Sequence, residues 1–304
     1  MLTKLMEGLG DRLADRWVAT LLTPAFFFWL GGLVAWIGHF GWTSLEQWFI
    51  HQSQVVQIVL LIGALLIITL SALVIQQLEL GIIRFLEGYW PRGLKRLRKW
   101  LIQRKVAQHE RLHRRFQELA SRGLDNLSTE ERDEYVSLDW RLMHIPASTG
   151  RLMPTTLGNI LRAAELRSTG KYGLDFVVCW PRLWLLLPAD VKKELTDVRA
   201  VLNTGAHVFA WGILFLIWTI WAWWTIPVTL IVTFYAYRWM VNVAVIYSDL
   251  LDATFDLHRT ALYKSLHWPL PTNPDMEREV GEQVTIYLWR GAEGPAPVFV
   301  TDES

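Results

Sequence analysis

The sequence predicts an all-α, polytopic membrane protein with four transmembrane helices in two hairpins and a cytoplasmic helical domain between them. Three observations carry that prediction. Four largely apolar segments, at about 20–41, 55–75, 206–226 and 227–248, each reach the roughly 20 residues that a helix needs to cross a bilayer. The connections inside each pair, WTSLEQWFIHQSQ and the turn Trp224-Thr225-Ile226-Pro227, hold no Lys or Arg, whereas residues 92–203 hold 21 Lys/Arg against 13 Asp/Glu. Basic residues collect on the cytoplasmic flanks of spans, so the hairpins point outward and both termini lie inside. Finally, the 304-residue chain is 52% hydrophobic and has 18 Trp, among which Trp36, Trp42, Trp48, Trp221, Trp223 and Trp224 fall where an outer aromatic belt belongs. A plasma (inner) membrane, multi-pass location follows.

Residues 1–91 open with an amphipathic helix, in which Leu2, Leu5, Met6, Leu9, Leu13 and Trp17 recur at helical spacing. Glu7, Asp11 and Asp15 speak against a signal peptide. The first hairpin follows, with Gly31/Ala35 and Gly63/Ser71 as small residues that allow close helix approach. The helix of span two continues past the bilayer to about residue 90, before Pro91. Residues 92–203 form a basic, mainly helical domain. One helix runs over 92–122 to Gly123, and a capping box at Ser128-Thr129-Glu130-Glu131 starts a second, ending near Met143. A third follows Pro154 through TTLGNILRAAELR. Phe176 to Cys179 is expected as a short strand, and WPRLWLLLP as an apolar segment under the bundle or on the membrane. Residues 204–268 form hairpin two, entered by helical periodicity from Ala189 and extended to about residue 268. Residues 269–304 hold a helix capped by Asn273-Pro274 and a mobile tail.

Helix four carries the main candidate site. With Arg238 at 0°, Tyr235, Asn242, Asp249, Asp252, Asp256 and Arg259 all lie within about 60° of it, while Leu251, Phe255, Leu262 and Leu266 point elsewhere. Arg238 lies about 16 Å below Pro227 at 1.5 Å per residue, near the bilayer midplane. An arginine at that depth belongs in a bundle interior or a water-filled cavity. Tyr235, Arg238 and Asn242 are therefore the candidate pore or gating residues. Below them, Arg84 and Glu79 of helix two lie level with Asp256 and Asp252, which predicts an Arg84–Asp256 contact in a cytoplasmic ion-pair stripe completed by Asp249 and Arg259. An alternative is purely structural, with Arg238 snorkelling and the rest pairing ordinarily.

The run Arg92–Arg115 carries ten Lys/Arg and one acid. Arg92, Lys95, Arg96, Arg98 and Lys99 are its candidates for anionic lipid headgroups; positive-inside bias explains the run without nucleic acid. HERLH places His109, Glu110 and His113 at the spacing of a zinc peptidase, but Arg111, Arg114 and Arg115 oppose a dication and no third ligand is evident. The aspartates alone are a weak cation motif. The single cysteine, Cys179, reads as a buried thiol, which leaves no intramolecular disulfide. Glycine-rich phosphate loops and G-x-S-x-G are absent, and no cofactor is implied. The sequence thus leaves three functions: an oligomeric, anion-preferring gated pore; a non-catalytic anchor recruiting a cytoplasmic protein; and a zinc peptidase.

Overall fold

A computed structural model of the chain describes residues 23–291 and residue 299. The expected N-terminal amphipathic helix and most of the C-terminal tail lie outside these. Every regular element among the described residues is helical: α1 (Thr23–Phe40), α2 (Trp42–Ile50), α3 (Gln54–Gln77), α4 (Glu79–Glu87), α5 (Lys95–Arg122), α6 (Thr129–Met143), α7 (Thr156–Tyr172), α8 (Phe176–Leu186), α9 (Ala189–Leu214), α10 (Thr225–Ser265) and α11 (Pro274–Arg290), with short 3-10 turns between. The chain divides into two compact units, one from residues 1–83 with 200–240 and the other from 84–199 with 241–304.

The first unit holds the apolar helices. α3, α9 with its 3-10 continuation to Ile220, and α10 are long and apolar enough to cross a membrane; Pro24–Phe40 of α1 is shorter. Exposed Leu61, Ile62, Leu65, Leu66 and Leu70 on α3 form a surface that water would not tolerate and lipid accepts. The chain is therefore a multi-pass membrane protein. The core of this unit is aromatic. Phe28 lies 4.9 Å from Trp211 and 5.1 Å from Trp218, ring centre to ring centre. The indole of Trp29 donates to Ser71 Oγ (3.1 Å) and that of Trp218 to the Phe28 carbonyl (3.1 Å), so each buried N–H is satisfied. The rings of Phe215 and Trp218 sit against Gly31 and Gly32, where a Cβ would overlap them. These small residues thus receive aromatic rings, whereas Gly63 faces open space.

The second unit is built on α5–α8, α11 and the adjoining parts of α4, α9 and α10. α5 and α6 form an antiparallel hairpin over Leu119, Leu127 and Leu138, and Ser128 and Glu131 close the capping box. A larger core joins Leu183, Leu195, Phe255, Leu262, Tyr263 and Val284. The strand expected at Phe176–Cys179 is instead the start of α8. Asp175 Oδ1 accepts from the Val178 amide (3.1 Å), which caps the helix, and Val178, Cys179 and Leu183 turn inward on one face.

α7 is the most deeply packed helix. Thr155 caps it, its hydroxyl accepting from the Gly158 amide (3.0 Å) and donating to the Glu87 carbonyl at the end of α4 (2.9 Å). Asn159 folds back on the preceding loop: its Oδ1 accepts from the Met153 amide (2.8 Å), and its Nδ2 donates to the Met153 and Thr155 carbonyls (2.9 and 2.8 Å). Any Cβ on Gly158 would overlap the Glu87 carbonyl oxygen; one on Gly281 of α11 would overlap the Tyr172 carbonyl oxygen at the other end of α7. Helix backbones touch at both ends. Gly158→Ala and Gly281→Ala should each cost about 1–3 kcal/mol, the usual range for overpacking. Gly63→Ala, in open space, should be neutral or slightly stabilising. Thermal unfolding of the three variants in one detergent tests the ranking.

Candidate functional site

Where α10 leaves its apolar stretch its surface divides. Leu251, Phe255 and Leu262 enter the core, and Asp249, Asp252 and Asp256 face α6 and α7. Arg167 Nη1 lies 3.3 Å from Asp252 Oδ2 and 3.7 Å from Asp249 Oδ1, and its Nη2 donates to the Met143 carbonyl (2.7 Å). Lys171 Nζ bridges Asp252 (2.8 Å) and Asp256 (3.3 Å). His144, buried at the end of α6, sets Nε2 3.0 Å from Asp249 Oδ1 and Nδ1 2.8 Å from the Trp140 carbonyl. The Tyr172 hydroxyl donates to Asp256, and burial together with that carboxylate raises its pKa. Arg259 pairs with Glu277 of α11 (2.6 Å) and stacks over the Tyr172 ring at 4.2 Å.

The sequence names the aspartates and Arg259 but not most of their partners. Arg84 does not reach Asp256, which Lys171 and Tyr172 occupy; its charge acts instead on Glu87, one turn on in its own helix. Glu79 joins no aspartate stripe. Its Oε1 accepts from Asn203 Nδ2 (2.6 Å), and its Oε2 lies 3.0 Å from Nε2 of buried His207, both on α9. His207 Nδ1 has no partner among the described residues. Sequence reasoning missed His144, Arg167, Lys171, Tyr172, Asn203 and His207. The usable signal was spacing: Arg167/Lys171 repeats the four-residue interval of Asp252/Asp256.

Arg238 is exposed, not lodged in the interior of its own chain, and no carboxylate pairs with it among the described residues. Tyr235 is 67% exposed and Asn242 is exposed as well. The inward face of this stretch is Ala236, Met240, Val243 and Ala244. A cavity of about 550 Å³ in the first unit is lined by apolar groups such as Phe28, Val208, Trp211 and Val232, so it is no aqueous path.

Comparison with protein-family models, curated proteins and solved structures finds no match.

The zinc-peptidase reading is overturned. His109 is buried, and its pKa is lowered by that burial and by neighbouring His113. The two rings stack 6.0 Å apart, and His113 Nε2 is engaged by Gln117 at 3.0 Å. Among the described residues no three His, Cys, Asp or Glu side chains converge to hold a metal. Histidines at i and i+4 supply two ligands at most; the third must come from another element, and among the described residues none does. Cys179 is buried in the core, 3.8 Å from Thr285 Oγ1, and burial pushes its thiol up to about 11.

Two measurements follow. Asp252→Ala should cost about 1.5–3 kcal/mol, because Arg167 and Asp252 are only 13% and 16% exposed and the cation would lose a charged hydrogen bond. Asp249→Ala should cost about 1–2 kcal/mol, since the carboxylate is 47% exposed but buried His144 loses its partner; denaturant unfolding ranks them. A thiol titrating near 11 is under about 1% thiolate at pH 8.5, whereas an ordinary one is about half ionised. Alkylation of folded protein at pH 8.5 should therefore be slow, accelerate as pH rises toward 11, and go rapidly to completion once the chain is unfolded.

Proposed function

We propose that the protein crosses the plasma (inner) membrane four times, as two hairpins with both termini cytoplasmic. In this reading it assembles into a homo-oligomer whose copies enclose a gated, anion-preferring path lined by Tyr235, Arg238 and Asn242. The observation that carries it is the exposure of Arg238, without a carboxylate partner among the described residues, on a helix apolar enough to span. Leaving that guanidinium against hydrocarbon near the midplane costs from about 2.5 kcal/mol upward. Water or another copy removes the cost; lipid tails do not. The cavity lined by Phe28 and Trp211 is apolar, which favours a path between copies. The paired aspartates of α10 continue the same helix and give a cytoplasmic signal a lever on it.

A second reading is a membrane anchor that recruits a cytoplasmic protein. Exposed Val177 and Leu185 on α8, Trp140 on α6 and Trp289 on α11 favour it as apolar groups open to a partner. Two experiments separate the readings. Tyr235→Cys should form a disulfide-linked dimer in oxidised membranes. Wild-type protein in liposomes should release chloride, with Arg238→Ala lowering anion preference at least tenfold and Arg238→Lys keeping part of it. A cross-linked dimer without chloride flux supports the anchor; an exposed, monomeric Tyr235→Cys sinks the oligomer.

A further inference from the structure

The turn between α4 and α5 forms a cleft. Tyr89, Trp90, Pro91, Arg92, Lys95 and Arg98 line a cavity of about 380 Å³. Its walls are held in place before any ligand arrives. Gly88 turns the chain at φ +105, and a Cβ there would overlap the Pro154 ring. The Tyr89 amide donates to the Arg84 carbonyl (2.9 Å), and the Trp90 indole donates to the Phe85 carbonyl (2.7 Å). Arg98 Nε donates to the Gly88 carbonyl (3.2 Å), which pins the guanidinium beside the cavity and leaves its terminal nitrogens for another acceptor.

The charge of the cleft is uncompensated. Among the described residues, Arg92, Lys95, Arg96, Arg98 and Lys99 form no ion pair with a carboxylate. The first turn of the 28-residue α5 has no acid, so lysine and arginine stand at the positive end of a long helix. Like sign at a helix N-terminus is unfavourable, and an anion seated there relieves both the dipole and the cations. The surroundings say which anion. Tyr89, Phe85, Leu97 and Trp100 are exposed among the basic groups, and Arg104 lies 4.6 Å above the Trp100 ring. Aromatic and basic side chains interleaved on one surface match the headgroup layer of a membrane.

We propose that this cleft binds the phosphate of an anionic phospholipid, with Arg92, Lys95 and Arg98 on the phosphate oxygens and the exposed aromatic side chains against the glycerol and upper acyl region. The site stands apart from the pore reading and holds equally for an anchor.

The test uses the full chain in a neutral detergent and follows thermal unfolding on titration with dihexanoyl phosphatidylglycerol, dihexanoyl phosphatidylcholine or inorganic phosphate. The phosphatidylglycerol should raise Tm saturably, and the phosphatidylcholine should not. Arg92→Gln/Lys95→Gln, which changes two exposed side chains and leaves the Arg98 tether, should need about tenfold more phosphatidylglycerol or beyond for the same shift. Arg111→Gln/Arg114→Gln, farther along α5, should titrate like wild type. Equal stabilisation by phosphatidylcholine, or an equal loss in both double variants, overturns the cleft. A matching shift from inorganic phosphate at the same concentration overturns the lipid in favour of a free anion.

Discussion

Asp252 and Asp256 stand one helical turn apart on α10, and Arg167 and Lys171 stand one turn apart on α7, with the same 85-residue offset between partners. Each cation reaches two carboxylates, Arg167 toward Asp249 and Asp252 and Lys171 toward Asp252 and Asp256. Exposed pairs are individually worth little, but the ladder fixes a register. Slipping α10 by one residue turns its face by about 100° and would put Asp252 where Leu251 now packs and Asp256 where Phe255 does. Burying a carboxylate there, while leaving Arg167 alone, is far costlier than any single pair is favourable. Charge and hydrophobic burial therefore specify the same rotation of the helix.

The ladder depends in turn on how tightly α7 is held. At its start Thr155 and Asn159 satisfy the loop that leads into it, and Gly158 lets it meet the end of α4 backbone to backbone. At its end Gly173, at φ +70, and Gly281 do the same with α11. A helix fixed at both ends carries Arg167, Lys171 and Tyr172 at set heights. Arg259, stacked on Tyr172 and paired with Glu277, joins α11 to the same cluster.

Local patterns were legible where the chain's neighbours in space are also neighbours in sequence. The capping box at Ser128, the stop at Gly123 and the apolar stretches are properties of a few turns, and a continuous helix pattern gave away the acidic face of α10. Partner choice is long-range, so Arg84 was an equally good guess for Asp256 until α7 came between. The segment 176–179 was misread because Phe176, Val177 and Val178 favour strands, while the cap at Asp175, a better signal, was passed over. HERLH matched two ligands locally, but a metal site needs a third from elsewhere. For Arg238, counting residues along the helix carries no information on direction. Direction is decided by which face packs, and Ala236, Met240 and Ala244 turn that face inward.

Gly31 and Gly32 hold notches that the rings of Phe215 and Trp218 enter, and Trp218 bonds to Phe28 across 190 residues of chain. At a ribosomal rate of about 5–20 residues per second, roughly 10–40 s pass between synthesis of the notch and arrival of its rings. The early helices thus emerge as an unfinished half, with two glycine gaps open to whatever surrounds them. Completion of the aromatic cluster is therefore a late step in biogenesis.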